Sequence, residues 1–224
     1  MILVFLILAA CSNEEQQTVE SKSASIKEIA NSTRSISQLF ESPDIASEYD
    51  LAFSMQNTMQ LYFKEDQSIA YFEGIGNEFA SYTEKTSWLS NEYVRIEYDN
   101  GAVLVVQYFR VTDKGIFQLT ESVEETEYSI AELDTLQPIS TLLEAPLQQG
   151  AQFGNWTIVS TNEVKETPYD TFTKVIVLMS EKDGITEMKY FAPGYGIIST
   201  ISSMETEDDQ PYIVQSMLSE MIFE

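Results

Sequence analysis

Three regimes of hydrophobic patterning succeed one another along this chain. Met1 to Ala10 is apolar throughout, Ser12 to Ser25 has hardly an apolar residue, and from Ile26 onward apolar positions recur with secondary-structure periods. The middle stretch, rich in Ser, Glu and Gln, reads as a flexible tether, because it cannot bury enough surface to offset the entropy of ordering. Beyond it, Ile26, Ile29, Thr33, Ile36 and Phe40 fall at helical spacing, and Pro43 would stop such a helix. This predicts one amphipathic helix. Its polar face is not basic, so it is expected to cover a face of a sheet rather than lie on a membrane.

From there the chain reads as strands and turns. Met59 to Phe63, Ile69 to Phe72 and Phe79 to Leu89 are short aromatic or alternating runs, with Gly74 and Gly76 between the second and third. Tyr93 to Tyr98 leads through Asp99-Asn100-Gly101 into Ala102 to Val111, and Asp113-Lys114-Gly115 turns the chain back into Ile116 to Thr120. Asn-Gly readily supplies the positive φ angles of a tight hairpin, so consecutive antiparallel strands are expected here. Ile130 to Leu147, broken by Pro138 and Pro146, reads as short helical turns and a connector. One sheet interrupted near 128–148 and two sub-domains meeting there fit equally well. Strands resume at Thr157 to Thr161 and Val175 to Met179, turn at Lys182-Asp183-Gly184, and end in Tyr212 to Phe223. Pro193 presets φ for the first corner of a type II turn between Met188 to Ala192 and Ile197 to Ile201, and Gly194 can take its positive-φ corner. The fold class is therefore mainly β, a β-rich α+β chain of about ten strands. Its expected form is a curved antiparallel sheet or half-barrel with an N-terminal helix and a short helical connector.

Charge and composition then remove whole classes of function. The net charge of −24, from 36 acidic against 12 basic residues, argues against nucleic acid, whose binding depends on clustered Lys and Arg. There is no histidine and a single cysteine. Ser-His-Asp and Cys-His catalysis need an imidazole, and zinc sites without His or Cys are rare, so no cofactor or metal centre is expected. Two carboxylates about 5–9 Å apart suffice for a glycosidase, which leaves a carboxylate-based glycan-processing enzyme as an alternative. Glu205, Glu207, Asp208 and Asp209 are candidate calcium ligands without EF-hand spacing, and a solvated acidic loop explains them as well. Gly74-Ile75-Gly76 and Gly194-Tyr195-Gly196 are not dinucleotide loops, since a strand rather than a helix follows.

Leu8, Ala9, Ala10 and Cys11 close the opening apolar run as a lipobox, the cleavage signal of bacterial lipoproteins. The small residues suit a peptidase cutting inside the bilayer, although the run is short and has no Lys or Arg before it, which leaves open a start upstream of Met1. The resemblance implies that residues 1–10 are a signal peptide and that the Cys11 thiol takes a diacylglycerol. Residues 11–25 would then tether an extracytoplasmic domain, 26–224, to the outer face of the membrane. A second resemblance covers roughly Leu147 to Ile201, where Trp156, Thr167-Pro168, two long strands and Tyr190-Phe191-Ala192-Pro193-Gly194-Tyr195-Gly196 follow in order. This resembles the C-terminal module of uncharacterised lipoproteins common in Gram-positive bacteria, whose usual form has Ala-Gly where Tyr169 and Asp170 stand.

The expected function is that of a non-catalytic binding or interaction module. Its partner would be an apolar ligand, a cell-wall component or another envelope protein. A carrier of a lipid or other apolar ligand should have a deep pocket lined by aromatics such as Tyr62, Tyr71, Phe72, Tyr82, Trp88, Tyr98, Tyr108 and Phe109. A partner-binding module should instead have a filled interior and an exposed apolar patch.

Overall fold

A computed structural model describes residues 58–124, 126–206 and 210–223. Cys11, the lipobox, the tether and the helix expected over Ile26 to Phe40 lie outside the described residues, as do Glu207, Asp208 and Asp209. The described residues belong to one compact unit, Gln56–Glu224.

A short 3-10 helix, Thr58–Tyr62, comes first, followed by β1 (Ser68–Ile75), β2 (Tyr82–Trp88), β3 (Tyr93–Asp99), β4 (Leu104–Val111) and β5 (Gly115–Ser122). A one-turn helix α1 (Ile130–Leu133) leads to β6 (Ser140–Glu144) and β7 (Gln152–Phe153). Long strands β8 (Trp156–Glu166), β9 (Thr171–Lys182), β10 (Ile185–Ala192), β11 (Gly196–Met204) and β12 (Tyr212–Phe223) complete the chain. All twelve strands form one antiparallel sheet in the order β6-β5-β4-β3-β2-β1-β12-β11-β10-β9-β8-β7. Each strand pairs with its sequence neighbour, and β1 pairs with β12, so the sheet is an up-and-down barrel closed everywhere except between β6 and β7. Those two edges come together without a ladder. The result is a nearly closed barrel.

One buried cluster gathers Val94 and Ile96 of β3, Phe109 and Val111 of β4, Ile158 of β8, Ile176 and Leu178 of β9 and Phe191 of β10, with Met59 and Phe63 from the N-terminal segment. A second cluster joins Ala70, Phe72, Val175, Val177, Ile198 and Leu218. Successive residues Val175 to Leu178 thus alternate between the two clusters. That is why β9 reads as an unbroken apolar run rather than an alternating one. A third cluster (Tyr93, Val106, Tyr108, Leu119, Leu133) is completed by Tyr128 and Leu136 of the connector. Arg110 donates from Nη2 to the carbonyls of Leu133 (3.2 Å) and Leu136 (3.0 Å), and the Tyr93 hydroxyl donates to Asp134, which pins that connector to β3 and β4.

Several expectations need correction. Met59 to Phe63 is not a strand. Thr58–Tyr62 winds into a 3-10 helix, and the Phe63 N–H donates back to Gln60 O three residues earlier (3.1 Å), which leaves Met59 and Phe63 both buried in the first cluster. The expected helical turns of 130–147 shrink to α1, capped by a Ser129–Glu132 capping box, and Ser140 to Glu144 is a strand on the edge of β5. The Asn100-Gly101 hairpin is a four-residue loop rather than a two-residue one. Asp99 pairs with Leu104, and Asn100 Oδ1 accepts from the backbone N–H groups of Ala102 and Val103. Asp183 (φ 54°) and Gly184 (φ 77°) do form a two-residue turn with both φ positive, the geometry that suits the twist of a hairpin. Pro193-Gly194 turns as expected, with Gly194 at φ 84° and the Tyr195 N–H donating to Ala192 O. Gly115 closes the β4–β5 turn, where the Thr112 N–H donates to its carbonyl (2.9 Å), and also opens β5, where a Cβ would lie 2.6 Å from Leu143 O of β6.

Candidate functional site

The site is built from the inward-facing positions of the strands on either side of the barrel's open seam. Period-two alternation sends Ile96 and Tyr98 of β3, Gln107 and Phe109 of β4, and Lys189 and Phe191 of β10 toward one space. Leu142 of β6 and Trp156 of β8 join the lining, and Ile197 of β11 is turned the same way by an irregularity in the β10–β11 register. Together they line a cavity of about 330 Å³ that opens to solvent.

The Ala192-Pro193-Gly194-Tyr195-Gly196 turn has a structural task in this arrangement. The Gly194 N–H donates to Leu61 O, and a Cβ on Gly196 would lie 3.2 Å from Tyr62 O, so the turn holds the 3-10 segment against the sheet. That segment delivers Tyr62, Phe63 and Lys64 to the cavity wall. Gly74 and Gly76 are likewise glycines for packing, because Cβ atoms there would collide with Ala80 and with Ile213 O. Neither glycine pair frames a phosphate.

Two ammonium groups line the cavity, and their surroundings differ. Lys64 Nζ pairs with Glu84 Oε2 at 2.6 Å, with the side chains only 5% and 17% exposed, and sits 5.4 Å from the Phe72 ring centroid. Lys189 Nζ lies 4.4 Å over the Trp156 ring, and no carboxylate among the described residues is within ion-pair distance of it. Burial holds the Lys189 ammonium below the ordinary lysine range, with Glu187 pulling weakly the other way. Close to Glu84, Tyr82 stacks on Phe72 (centroids 4.4 Å) and touches Tyr98 (4.7 Å). Burial, reinforced by the charge of Glu84, lifts both phenols above the usual tyrosine value, Tyr82 well above it. On the opposite wall Gln107 and Gln118 both donate to Glu121 Oε2 at 2.9 Å, and Ser140 Oγ donates to Gln118 Oε1 at 2.8 Å.

The aromatic set singled out from the sequence is divided by the fold. Tyr62, Tyr98 and Phe109 line the cavity, Phe72 and Tyr82 pack in the second cluster, Trp88 packs against Phe63, and Tyr108 belongs to the third cluster with Tyr128. Of the acidic candidates, Glu205 is exposed beside a shallow depression of about 690 Å³ at the β9–β10 turn. That depression is walled by the exposed side chains of Glu181, Lys182 and Asp183 and is surface relief. No group of three acidic, histidine or cysteine side chains that could hold a metal exists among the described residues. Lys64, Glu84, Trp156 and Lys189 were not anticipated as a site. The available signal was charge in an inward register: Glu84 alternates with Tyr82 and Thr86, and Lys189 stands two before Phe191.

No protein-family model matches the chain, and no curated protein is significantly similar to it. Two solved structures are similar in fold. One is a protein from Bacteroides fragilis described as exported and of YmcC-like fold (TM-score 0.43, 10% identity, covering 72% of this chain and 98% of that one). The other is from Parabacteroides distasonis and is described as a lipoprotein (TM-score 0.40, 13% identity, 72% and 98% covered). Neither comes from the Gram-positive bacteria whose lipoproteins the C-terminal motif resembles.

Proposed function

We propose that this chain is a lipid-anchored extracytoplasmic binding protein that holds a small ligand inside its nearly closed barrel without transforming it. The observation that carries this is the 330 Å³ cavity, a hollow where a purely structural barrel would be packed with side chains. Its volume is at the lower end of small-molecule pockets, about 300–1,000 Å³, which favours one compact ligand over a whole diacyl lipid. Its lining mixes aromatic and apolar walls with a few polar groups, the composition that fixes orientation in ligand sites. Among the described residues Glu84 is the one carboxylate of that lining and is paired with Lys64, whereas glycan hydrolysis requires two carboxylates flanking the bond to be cut. This favours binding over hydrolysis.

Native mass spectrometry of protein purified from its own host tests the reading. A bound small molecule should appear as a discrete adduct and should be lost from Ile197→Trp, which fills the cavity. A clean mass, together with no adduct difference between the two proteins, counts against it. The anchor is tested separately: Cys11→Ala should release the protein from membranes on fractionation, and unchanged membrane association would reject the lipobox. A second reading, partner binding, is favoured by one feature. Ile185, Met204 and Tyr212 are mutually paired across β10, β11 and β12 and all exposed, which makes an apolar row on the surface.

A further inference from the structure

The charges around the cavity do not cancel. Lys64 and Glu84 neutralise each other at 2.6 Å, which leaves the Lys189 ammonium as the charge of the lining that no carboxylate among the described residues pairs with. Removing an ammonium from water without a counter-charge is costly, and the face of Trp156, 4.4 Å away, returns only part of that cost. Of the neutral groups opposite, Gln107 and Gln118 donate to Glu121 and Ser140 donates to Gln118. Lys189 is the charged donor of the lining that can meet a ligand, and a charge-assisted hydrogen bond is stronger than a neutral one. Phe109, Phe191, Ile96, Leu142 and Ile197 make the remaining walls apolar. The carboxylate of Glu84 shares the cavity and opposes a second negative charge on whatever enters.

Resting on the binding function proposed above, we infer that the ligand is a compact monoanion with an apolar body, its acid group docked on Lys189 Nζ and its body against Phe109 and Phe191. Lys189 is the specificity-determining residue, because it alone distinguishes an acid from a neutral molecule of the same shape. The apolar body can be a short acyl chain or a planar ring, and the two are separated by experiment.

Isothermal titration calorimetry of the purified protein with decanoate, naphthalene-2-carboxylate, the matching alcohols of each, and inorganic phosphate tests this. At least one carboxylate should bind with one-to-one stoichiometry and at least tenfold more tightly than its alcohol, and the tighter of the two acids identifies the body as chain or ring. Phosphate should bind at least tenfold more weakly than that acid. Lys189→Met should abolish the preference for acid over alcohol while leaving alcohol binding in place, and Lys189→Arg should keep most of the preference. Met removes a buried charge without removing bulk, so the variant is expected to fold. Lys189→Gln supplies the same comparison if it does not. Equal affinity for acid and alcohol, or a preference that survives Lys189→Met, overturns the assignment of an anion to Lys189. Phosphate binding as tightly as the acids overturns the apolar body. Silence from every probe, with Ile197→Trp indistinguishable by native mass spectrometry, removes the binding function itself.

Discussion

Deleting the carboxylate of Glu84 is the perturbation whose cost follows most directly from the structure. Its partner Lys64 is 5% exposed and follows the 3-10 helix, wedged between the Phe72 ring and the cavity. Glu84→Ala strands that ammonium, and breaking a buried ion pair from one side costs about 3–5 kcal/mol. Glu84 is 17% exposed and borders a cavity that water can enter, which places the cost at the lower end, about 3 kcal/mol. For a domain of this size each kcal/mol lowers Tm by roughly 2–4 °C, so a fall of about 6–12 °C is expected. Lys64→Met leaves the more accessible partner unpaired and replaces the stem with apolar bulk, so its cost is smaller, about 1–2 kcal/mol. Replacing both, Lys64→Met with Glu84→Leu, should recover most of the loss, because a buried pair exchanged for apolar groups is close to neutral.

Trp88 and Trp156 both pack against the first core cluster, so their fluorescence reports urea unfolding of all four proteins directly. A cost below about 1 kcal/mol for Glu84→Ala, or a double variant as unstable as the single one, would refute the claim that this pair neutralises a buried charge. A second readout is independent of stability. Without the charge of Glu84, Tyr82 and Tyr98 should titrate at lower pH than in the parent protein, yet burial should still hold them above the ordinary tyrosine value.

Two further outcomes follow from the same coordinates. Gly115→Ala sets a Cβ 2.6 Å from Leu143 O and 2.9 Å from Phe117 Cζ, which pushes β6 away from β5, with an expected loss of about 1–3 kcal/mol in urea unfolding and faster amide exchange in β6. Gly184→Ala, which meets nothing within 4 Å, should cost only the strain of its positive φ and leave exchange in β6 unchanged; equal effects at both sites would contradict the steric role of Gly115. Tyr62, Tyr82 and Tyr98 titrate above their ordinary value because burial disfavours the phenolate. A raised folded-state pKa contributes stability that is complete below the unfolded value of about 10 and is lost as pH rises through the folded value, so Tm should fall above about pH 10 and Tyr82→Phe should blunt that fall. A Tm insensitive to pH between 9 and about 11.5 would show that these phenols are accessible to solvent.

Where geometry is local, the sequence and the structure agree. Pro193-Gly194 and Asp183-Gly184 turn as their φ preferences require, because two residues carry all the information a tight turn needs. Agreement fails where a longer-range partner decides. Tyr62 and Phe63 have strand propensity, but the turn of β10–β11 docks on Leu61 and the segment winds into a 3-10 helix. Leu142 and Leu143 continue a helix-like spacing from Leu133, yet Pro138 separates them and the free edge of β5 captures them as β6. Gly115 was legible as a glycine position, but its cause, a strand arriving from 28 residues downstream at Leu143, was not. The cavity was hidden for the same reason. Lys64, Glu84 and Lys189 stand on three segments far apart in sequence, and only the closure of β1 on β12 brings the last of them to the first two.

The charge distribution gives the barrel's interior and exterior opposite preferences. The chain carries −24 overall, yet two of its twelve basic side chains line the cavity beside Glu84, while Glu97 stands between the inward Ile96 and Tyr98 and Glu166 and Glu187 are exposed. At physiological ionic strength the field of outer acids decays over about 8 Å, so it acts on any anion nearing the surface and scales with that anion's charge. The attraction of Lys189 acts only at contact, in a less polar medium where it is stronger, and it can be satisfied once. A polyanion therefore meets the full repulsion and gains one ion pair. A monoanion with an apolar body meets the least repulsion and gains both the ion pair and the burial of its body, at about 25 cal/mol per Å². Acidity outside and the Lys189 ammonium inside, which no carboxylate among the described residues pairs with, thus select in the same direction.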